Sequence, residues 1–420
     1  MAELLDYTKI FVPGGYPSYT YNPRQTLNLE NKVESVLHNL CKLVVVTGHT
    51  KSGKTVLVRK ILPRDNAIWI DGGGIGSEED FWVTIVDQLE LFQGVEIQKT
   101  SSTNTEVSGD LSVEGNILIA KGRGEIGGSI SDDTGTASTQ SRAVSSKVVA
   151  LKKLLSTKKP IVIDDFHYLP HDLQGSVVRA LKPLIFDGLP VILIAIPHRR
   201  YDAIRVEKEM TGRIFPVDIP LWEIPELTFI PETGFSLLDL QLKDAATKYL
   251  AKESIGSPHL IQEFCREICK IHPPEENRKD FDVTVDELER AFKETAETIG
   301  RPIFEKLARG PRQRSDRIAR KLKDGKEIDI YELVLHALSH IKPGLVKLEY
   351  EDLRSAIKEI CLPESVPQIQ EVARVLKYMS EIAATDQSST PVIDFDEESK
   401  TLYITDPFFA FYLRWGDINR

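Results

Sequence analysis

The chain has 420 residues, of which 41% are hydrophobic and 28% are charged, and its formal net charge at pH 7 is −10. This length and composition are typical of a globular protein with two or three domains. The acidic balance excludes polyanion binding through overall charge and leaves only a local basic patch for that role.

The sequence has no feature of membrane or secreted proteins. No apolar run reaches the ~18 residues of a membrane span, and the start, MAELLDYTKIFVPGG, has no basic segment followed by an apolar stretch. Four scattered cysteines, Cys41, Cys265, Cys269 and Cys361, are too few for a disulfide framework. Cys265 and Cys269 would share a helix face, so two metal ligands are possible there. No second Cys/His pair lies nearby in the sequence, which favours buried thiols. We expect a cytoplasmic protein without a membrane contact.

In chain order, a lead-in rich in Pro, Gly and Tyr is followed by alternating strands and helices. The periodicity predicts helices over 27–40 and 77–92. Strands are predicted within LVVVTG, NAIWIDGGG, PIVIDDF and PVILIAIPH. Near-continuous apolar strands alternating with helices indicate an α/β fold, with a parallel sheet covered on both faces.

Residues 100–147 interrupt this alternation and are rich in Ser, Thr and Gly. Within them, VSGDLSVEGNILIAKG alternates partly around a Glu-Gly pair, which predicts a β-hairpin insert between flexible flanks. Such an insert could contact a polymer or a neighbouring subunit, or it could be a disordered surface loop. The sequence does not decide between these alternatives.

From about residue 235 the pattern becomes helical. The last ninety residues contain three helical segments, within IYELVLHALSH, YEDLRSAIKEIC and PQIQEVARVLKYMSEIA, and then two short strands around a DEES turn. Three helices and a β-hairpin in this order predict a winged-helix domain, a relative of the helix-turn-helix.

The stretch GHTKSGKT, residues 48–55, matches the phosphate-binding pattern G-x-x-x-x-G-K-[ST]. It lies between a predicted strand and a predicted helix, as this chemistry requires, so a chance match is disfavoured. Gly48 and Gly53 let backbone N–H groups point at phosphate oxygens. Lys54 reaches the β- and γ-phosphates, and Thr55 supplies a hydroxyl to Mg²⁺. The other predicted nucleotide contacts are Thr50, Lys51 and Ser52 in this segment and Val56 directly after it. We therefore predict that residues 48–55, the phosphate loop, bind ATP with Mg²⁺.

A second motif, IVIDDFH, is an apolar strand that ends in Asp164 and Asp165, the layout of a Walker B element. Asp164 is placed to hold the water shell of the metal, and Asp165 to orient or deprotonate the attacking water. A surface turn of two acids is the alternative. After the next predicted strand, His198 to Arg200 could sense the γ-phosphate or could be solvated charges.

The order of these segments resembles the AAA+/STAND class of P-loop ATPases, where STAND denotes signal-transduction ATPases with numerous domains. The resemblance rests on both motifs, on MTGRIF and on the helical G-S-P-H segment, and covers about residues 15–415. It implies that Arg213 touches the γ-phosphate, within one chain or across a subunit boundary. It also implies that Gly256 to Pro258 close over the base and that Pro23 and Arg24 lie near the adenine.

The same resemblance sets the expected fold class and domains. The fold class is α/β, a P-loop NTPase parallel-sheet core of AAA+/STAND-like type followed by a helical lid and a winged-helix domain. The expected segments are a lead-in (1–26), the core (27–232), the lid (233–326) and the winged helix (327–420). The ending YITDPFFAFYLRW also resembles the end of the winged-helix region in this class.

Two departures from the class pattern bear on activity. Asp165 stands where robust AAA+ hydrolases have a glutamate, which puts fast turnover in doubt. No arginine of the usual second-sensor type directly follows Gly256, although Arg266 lies on the next predicted helix.

The segment RPIFEKLARGPRQRSDRIARKLKDGK, residues 301–326, carries ten Lys or Arg against three Asp or Glu. Beside a winged helix it could contact nucleic-acid phosphates. It could equally dock an acidic partner or an adjoining subunit, or be a solvated face.

These features predict an ATP-binding and ATP-hydrolysing protein whose nucleotide state, ATP or ADP, controls assembly or engagement of a partner. The partner could be DNA, and a homo-oligomer or protein complex is expected. The alternative is a nucleotide-gated signalling or phage-defence switch or scaffold, with slow or no turnover and a protein partner.

Overall fold

The protein is described by a computed structural model. It describes residues 6–38, 40–91, 96–100, 137–141, 145–196, 210, 212–274, 283–311, 317–342, 344, 347–384 and 391–418. The chain divides into two compact units. The sheet unit comprises Asn31–Val46 and Arg59–Val217, and the helical unit comprises Met1–Glu30, Thr47–Val58 and Asp218–Arg420. The chain therefore enters the helical unit for the phosphate loop, returns to the sheet unit, and leaves it again at residue 218.

The sheet unit is built on a five-stranded sheet. The strands of the first half of the chain are β1 (Leu43–Gly48), β2 (Ile68–Asp71), β3 (Glu96–Thr100), β4 (Ala137–Ser141), β5 (Ile161–Asp164), β6 (Val191–Ala195) and β7 (Ile214–Ile219). The order in the sheet is β2-β5-β6-β1-β7, and β5 pairs in parallel with both β2 and β6. Every residue of β1 and β6 is buried, which explains the apolar runs LVVV in β1 and VILIA in β6. The predicted α/β fold class is confirmed.

The helices of the first half of the chain belong partly to each unit. They are α1 (Tyr7–Ile10), α2 (Leu29–Glu34), α3 (Lys54–Ile61), α4 (Glu78–Gln88), α5 (Ser146–Thr157) and α6 (His171–Phe186). Helix α4 lies within the predicted range 77–92 but ends at Gln88, and its N-cap Ser77 accepts from the N–H of Asp80. The helix predicted over 27–40 is shorter, because α2 ends at Glu34 and a 3₁₀ turn follows.

The insert is described only at its base. There β3 and β4 pair antiparallel, with Glu96 opposite Ser141. The hairpin predicted from VSGDLSVEGNILIAKG lies outside the described residues.

The helical unit has one continuous hydrophobic core. Its helices after residue 218 are α7 (Ile224–Ser236), α8 (Asp244–Glu253), α9 (Pro258–Ile271), α10 (Val285–Ile299), α11 (Arg301–Arg309), α12 (Ile330–Ile341), α13 (Tyr350–Ile360), α14 (Ile369–Ala384) and α15 (Pro407–Trp415). The ring centroid of Phe264 on α9 lies 4.7 Å from that of Phe292 on α10 and 5.0 Å from that of Phe411 on α15. This aromatic packing joins α15 to the middle of the unit.

Short strands complete this unit. They are β8 (Arg320–Lys321), β9 (Glu327–Ile328), β10 (Lys347–Glu349), β11 (Ile393–Asp396) and β12 (Thr401–Ile404). Strand β12 lies between β10 and β11 and pairs antiparallel with both. The three predicted helices correspond to α12, α13 and α14, and the two predicted strands to β11 and β12, whereas the three-residue β10 was not predicted. Among the described residues, no helix is long and apolar enough to cross a membrane.

Candidate functional site

The phosphate loop connects the end of β1 to the start of α3. Gly48 is the last residue of β1, and α3 begins at Lys54. In between, the N–H of Ser52 donates to the carbonyl of His49 at 3.2 Å, and Gly53 has a φ of +91°. Glycine adopts a positive φ at little energetic cost, whereas other residues do not. This backbone conformation allows the chain to turn directly into the helix.

Lys54 lies inside the curve of this loop. Its side chain is buried, and its Nζ donates to the carbonyl oxygens of Gly48 at 2.9 Å and His49 at 2.8 Å. Thr55 lies exposed in the first turn of α3, next to the half-buried Val56. An ammonium and the N-terminus of a helix at one loop form a suitable environment for a phosphate group.

Two further observations test whether the phosphate loop fits a phosphate. A Cβ added to Gly48 would lie 2.8 Å from Ser52 Oγ and 3.0 Å from the carbonyl oxygen of Ile219, so only glycine fits there. Ser52 Oγ is buried, and the described residues give it no hydrogen-bond partner. An unsatisfied buried hydroxyl costs about 1–3 kcal/mol, and a phosphate oxygen would accept from it. The loop therefore fits an anionic group.

The two acidic residues of IVIDDF lie in the sheet unit, at the end of β5. Both are half-buried, and Asp164 Oδ1 accepts from the N–H of Asp165 at 3.0 Å. Asp165 has a φ of +50° and precedes a 3₁₀ turn. Register places Asp71 at the end of β2 opposite Asp164. The sequence did not single out Asp71. Its position beside Asp164 depends on the pairing of β2 with β5, which the sequence does not give.

Gly72 is a second residue that sequence analysis missed. A Cβ at this position would lie 2.4 Å from the carbonyl oxygen of Asp165 and 3.1 Å from that of Asp164. The backbone that carries both acids therefore packs directly against Gly72. A glycine after a strand gives no sequence signal for such a contact.

Gly72→Ala is expected to displace the Asp164–Asp165 turn, because the new methyl would overlap the Asp165 carbonyl. We expect phosphate release from ATP to fall by about 10-fold or more, since displaced catalytic groups lose this order of rate, while ATP affinity changes little. The matched control is Gly74→Ala, where an added Cβ meets no atom within 4 Å. Equal hydrolysis rates in the two variants would contradict the role of Gly72.

Arg213 lies at the surface of the sheet unit, just before β7. It is exposed, and its guanidinium carbon lies 5.9 Å from the ring centroid of Phe186, a residue at the end of α6 that is 67% exposed. His198, Arg199 and Arg200, the other candidates for contact with the γ-phosphate, lie outside the described residues.

Arg24 of the lead-in is buried in the helical unit. Its guanidinium makes a bidentate pair with Glu226, with N–O distances of 2.8 and 2.7 Å. It also donates to the carbonyl oxygens of Pro220 at 3.0 Å and Leu221 at 3.1 Å. All these partners are protein groups, so its contact with adenine stays a prediction, as does that of the half-buried Pro23.

Trp222 brings together three of the predicted segments. Its indole Nε1–H donates to the carbonyl oxygen of Ser52 at 2.9 Å, and its ring lies 4.8 Å from the guanidinium carbon of Arg24. Its backbone N–H donates to the carbonyl of Gly256 at 3.4 Å. Pro258 is the first residue of α9 and follows the N-cap Ser257. The lead-in, the phosphate loop and the segment at Gly256 thus all contact one residue, Trp222, that carried no sequence signal.

The start of α15 also borders the phosphate loop. Lys51 Nζ lies 5.3 Å from the ring centroid of Phe408, and the ring of His259 packs edge-on to Phe408 at 4.8 Å. Asp406 caps α15 by accepting from the N–H groups of Phe408 and Phe409. Burial raises the pKa of the Asp406 carboxyl, although these hydrogen bonds and Lys51 oppose the rise. The segment YITDPFFAFYLRW therefore contacts Lys51, one of the predicted nucleotide contacts.

The basic segment 301–326 is largely neutralised where it is described. Ion pairs join Arg301 to Glu297 and Glu305, Arg309 to Glu305, Arg317 to Asp329, Arg320 to Glu371, and Lys321 to Glu327. Several of these acidic residues lie outside the segment. Counting only the charges within 301–326 therefore overestimates the positive charge that this surface presents. Residues 312–316 lie outside the described part.

Cys265 and Cys269 are free, buried thiols. Burial raises the pKa of Cys269 to about 12 and that of Cys265 well above its ordinary value. Thiols held neutral are poor metal ligands. The described residues contain no group of three or more His, Cys, Asp or Glu that could hold a metal ion.

Comparisons with known proteins give remote structural likenesses. No protein-family model and no curated protein matches the sequence. The structure is similar to Cdc6p of Pyrobaculum aerophilum (13% identity, TM-score 0.45, covering 97% of each chain). It is also similar to the ORC2 protein of Aeropyrum pernix (13% identity, TM-score 0.48, 96% of each chain). A third is a Walker-type ATPase of Pyrococcus abyssi (15% identity, TM-score 0.48, 92% of this chain and 94% of that one). At this distance the likeness says nothing of function.

The fold and the loop together define a class. The phosphate loop lies between β1 and α3 of a parallel α/β sheet, and one strand, β6, separates β1 from β5, the strand that ends in Asp164. This arrangement is a P-loop α/β fold.

Proposed function

We propose that this chain binds ATP with Mg²⁺ in the phosphate loop and hydrolyses it slowly, as an AAA+/STAND-type protein whose nucleotide state controls a partner or its own assembly. The observation that carries the proposal is the loop itself. Lys54 Nζ lies beneath the carbonyls of Gly48 and His49, and the buried Ser52 hydroxyl has no partner among the described residues.

Each residue has a defined part in this function. The N–H groups of the loop and the Ser52 hydroxyl would donate to phosphate oxygens, and Lys54 would exchange its two carbonyl acceptors for the β- and γ-phosphates. Thr55 and Asp164 would hold Mg²⁺, which when bound neutralises charge on the phosphates. Asp165 would orient the attacking water and accept its proton. Because its side chain is one methylene shorter than glutamate, we propose slow turnover.

The remaining segments would respond to the nucleotide. The order α12, β10, α13, α14, β11, β12 supports the proposal of a winged helix over 327–420, and α8 to α11 would form the lid over 233–326. Exposure of Arg213 and Phe186 supports a role for Arg213 at the γ-phosphate of a neighbouring copy in a homo-oligomer. ATP and ADP would favour different arrangements only through different contacts at these residues.

A protein partner suits the chain better than nucleic acid. Lys and Arg side chains bind nucleic-acid phosphates only if they are not held in ion pairs with carboxylates of the protein. Five Lys or Arg side chains of the basic segment are held in such pairs. The acidic net charge of −10 also opposes a polyanion. DNA engagement through the winged helix is the second candidate.

The test measures phosphate release from ATP by the pure protein and by Asp165→Ala, with nucleotide affinity measured in parallel. Loss of the general base is expected to slow release by about 100-fold or more while affinity stays within about 2-fold. Unchanged release in the variant would remove Asp165 from the mechanism, and the absence of ATP binding in the wild type would end the proposal. Adding duplex DNA at about 50 mM salt separates the partners, since stimulation would favour the second candidate.

A further inference from the structure

We propose that Trp222 is a positioning residue of the phosphate loop and transmits the state of that loop to the lead-in and to the lid segment. This inference rests on the proposed nucleotide binding and adds the residue that couples it to the rest of the helical unit. Trp222, the phosphate loop, Arg24 and Gly256 all belong to that unit.

The first step of the argument concerns one peptide group. The peptide between Ser52 and Gly53 is trans, because the described backbone contains no cis peptide bonds. In a planar trans peptide the C=O and the following N–H point in opposite directions. Trp222 Nε1–H donates to the carbonyl oxygen of Ser52 at 2.9 Å, so the N–H of Gly53 is aimed away from the indole. A fixed N–H direction is what a phosphate-binding loop needs.

The second step concerns the contact at Gly53. This residue has a φ of +91°, and a Cβ built on it would lie 4.0 Å from Trp222 Cζ2. The edge of the indole therefore lies against the part of the loop that is most free to rotate. Without this contact the glycine would sample more backbone conformations.

The third step shows that the indole is itself held. The guanidinium carbon of Arg24 lies 4.8 Å from the ring centroid, within the range of a cation–π interaction. Arg24 is fixed by the carboxylate of Glu226 and by the carbonyl of Leu221, the residue before Trp222. The backbone N–H of Trp222 donates to Gly256, which has a φ of +70° and packs on Leu221.

These contacts form a chain of packed groups with the indole at its centre. A change in the Ser52–Gly53 peptide moves the acceptor of the indole N–H, and the ring then changes its contact with Arg24. Movement of Trp222 also reaches Gly256, because the backbone N–H of Trp222 donates to the Gly256 carbonyl. A nucleotide that fixes the loop is therefore expected to order residues 20–24, 220–227 and 254–257 as well.

The test is hydrogen exchange with and without ATP on the full chain, together with ATP affinity. In the wild type, ATP is expected to slow exchange in 48–55 and in the three segments just named. Trp222→Phe keeps an aromatic ring on Arg24 and removes the N–H donor. We expect its ATP affinity to fall about 5-fold, the order expected for one hydrogen bond, with protection retained in 48–55 and lost in 220–227.

The matched control is Trp415→Phe. Trp415 Nε1–H donates to the Glu253 carboxylate at 2.8 Å in the same unit, so this variant also loses an indole N–H hydrogen bond, but one that does not involve the phosphate loop. It is expected to bind ATP and to be protected like the wild type. Wild-type affinity and protection in Trp222→Phe would overturn the inference while leaving the proposed function intact. If Trp222→Phe does not fold, hydrogen exchange of the wild type still tests the inference. ATP-induced protection confined to residues 48–55 of the wild type would show that the loop is not coupled to the other segments. A wild type that binds no ATP would instead overturn the proposed function.

Discussion

Lys54→Ala is expected to lower ATP affinity by about 100-fold, which corresponds to about 2.7 kcal/mol. Hydrogen bonds to a charged group contribute about 1.5–3 kcal/mol each, and the ammonium of Lys54 would serve two phosphates. This ammonium bonds to the carbonyls of Gly48 and His49, so it is positioned inside the loop. Calorimetric titration with ATP and Mg²⁺ measures the effect.

The matched control for Lys54→Ala is Lys153→Ala, which removes an exposed lysine from α5. It is expected to bind ATP with the affinity of the wild type. Circular dichroism of Lys54→Ala should match the wild type, since the loop carbonyls can turn to water. A Lys54→Ala protein with wild-type affinity would show that residues 48–55 are not the nucleotide site.

Arg24→Ala is expected to lower the free energy of unfolding of the helical unit by about 3–5 kcal/mol, the usual effect of removing one partner of a buried ion pair. The Arg24 side chain is 3% exposed and that of Glu226 is 17% exposed. Removing the guanidinium leaves the Glu226 carboxylate and the carbonyls of Pro220 and Leu221 without this donor. Urea unfolding followed by circular dichroism measures the loss.

Two variants sharpen the Arg24 result. Arg24→Lys keeps the charge but cannot make the bidentate pair, so its unfolding midpoint should lie between those of the wild type and Arg24→Ala. Arg301→Ala breaks an exposed pair with Glu305 and is expected to leave the midpoint unchanged. A midpoint for Arg24→Ala equal to that of Arg301→Ala would mean that the buried pair does not stabilise the unit.

The fold class could be predicted from the sequence because its signals are local. The apolar runs of β1 and β6 follow directly from burial on both faces, and the phosphate loop is a contiguous pattern. The same holds for Asp164 and Asp165, which end a buried strand. In each case a few neighbouring residues carry the whole signal.

The supporting residues could not be predicted, because their roles depend on pairings between distant segments. Gly72 contacts the Asp165 backbone only because β2 lies beside β5 in the sheet. Trp222 is separated from Ser52 by 170 positions in the sequence. The charge count of 301–326 could not include Asp329 or Glu371, which neutralise Arg317 and Arg320 from outside the segment.

The position of the phosphate loop in the helical unit has a consequence for synthesis on the ribosome. The loop is translated early, but Trp222 follows Ser52 by 170 residues, and Phe408, which packs against Lys51, comes later still. Contacts across such long stretches form late, since the loop-closure entropy is lost before the contacts repay it. A nascent chain that has completed the sheet unit would therefore still lack a finished phosphate loop. ATP is then expected to bind stalled or truncated chains more weakly than full-length ones, so that an incomplete protein adopts the nucleotide-bound state less readily.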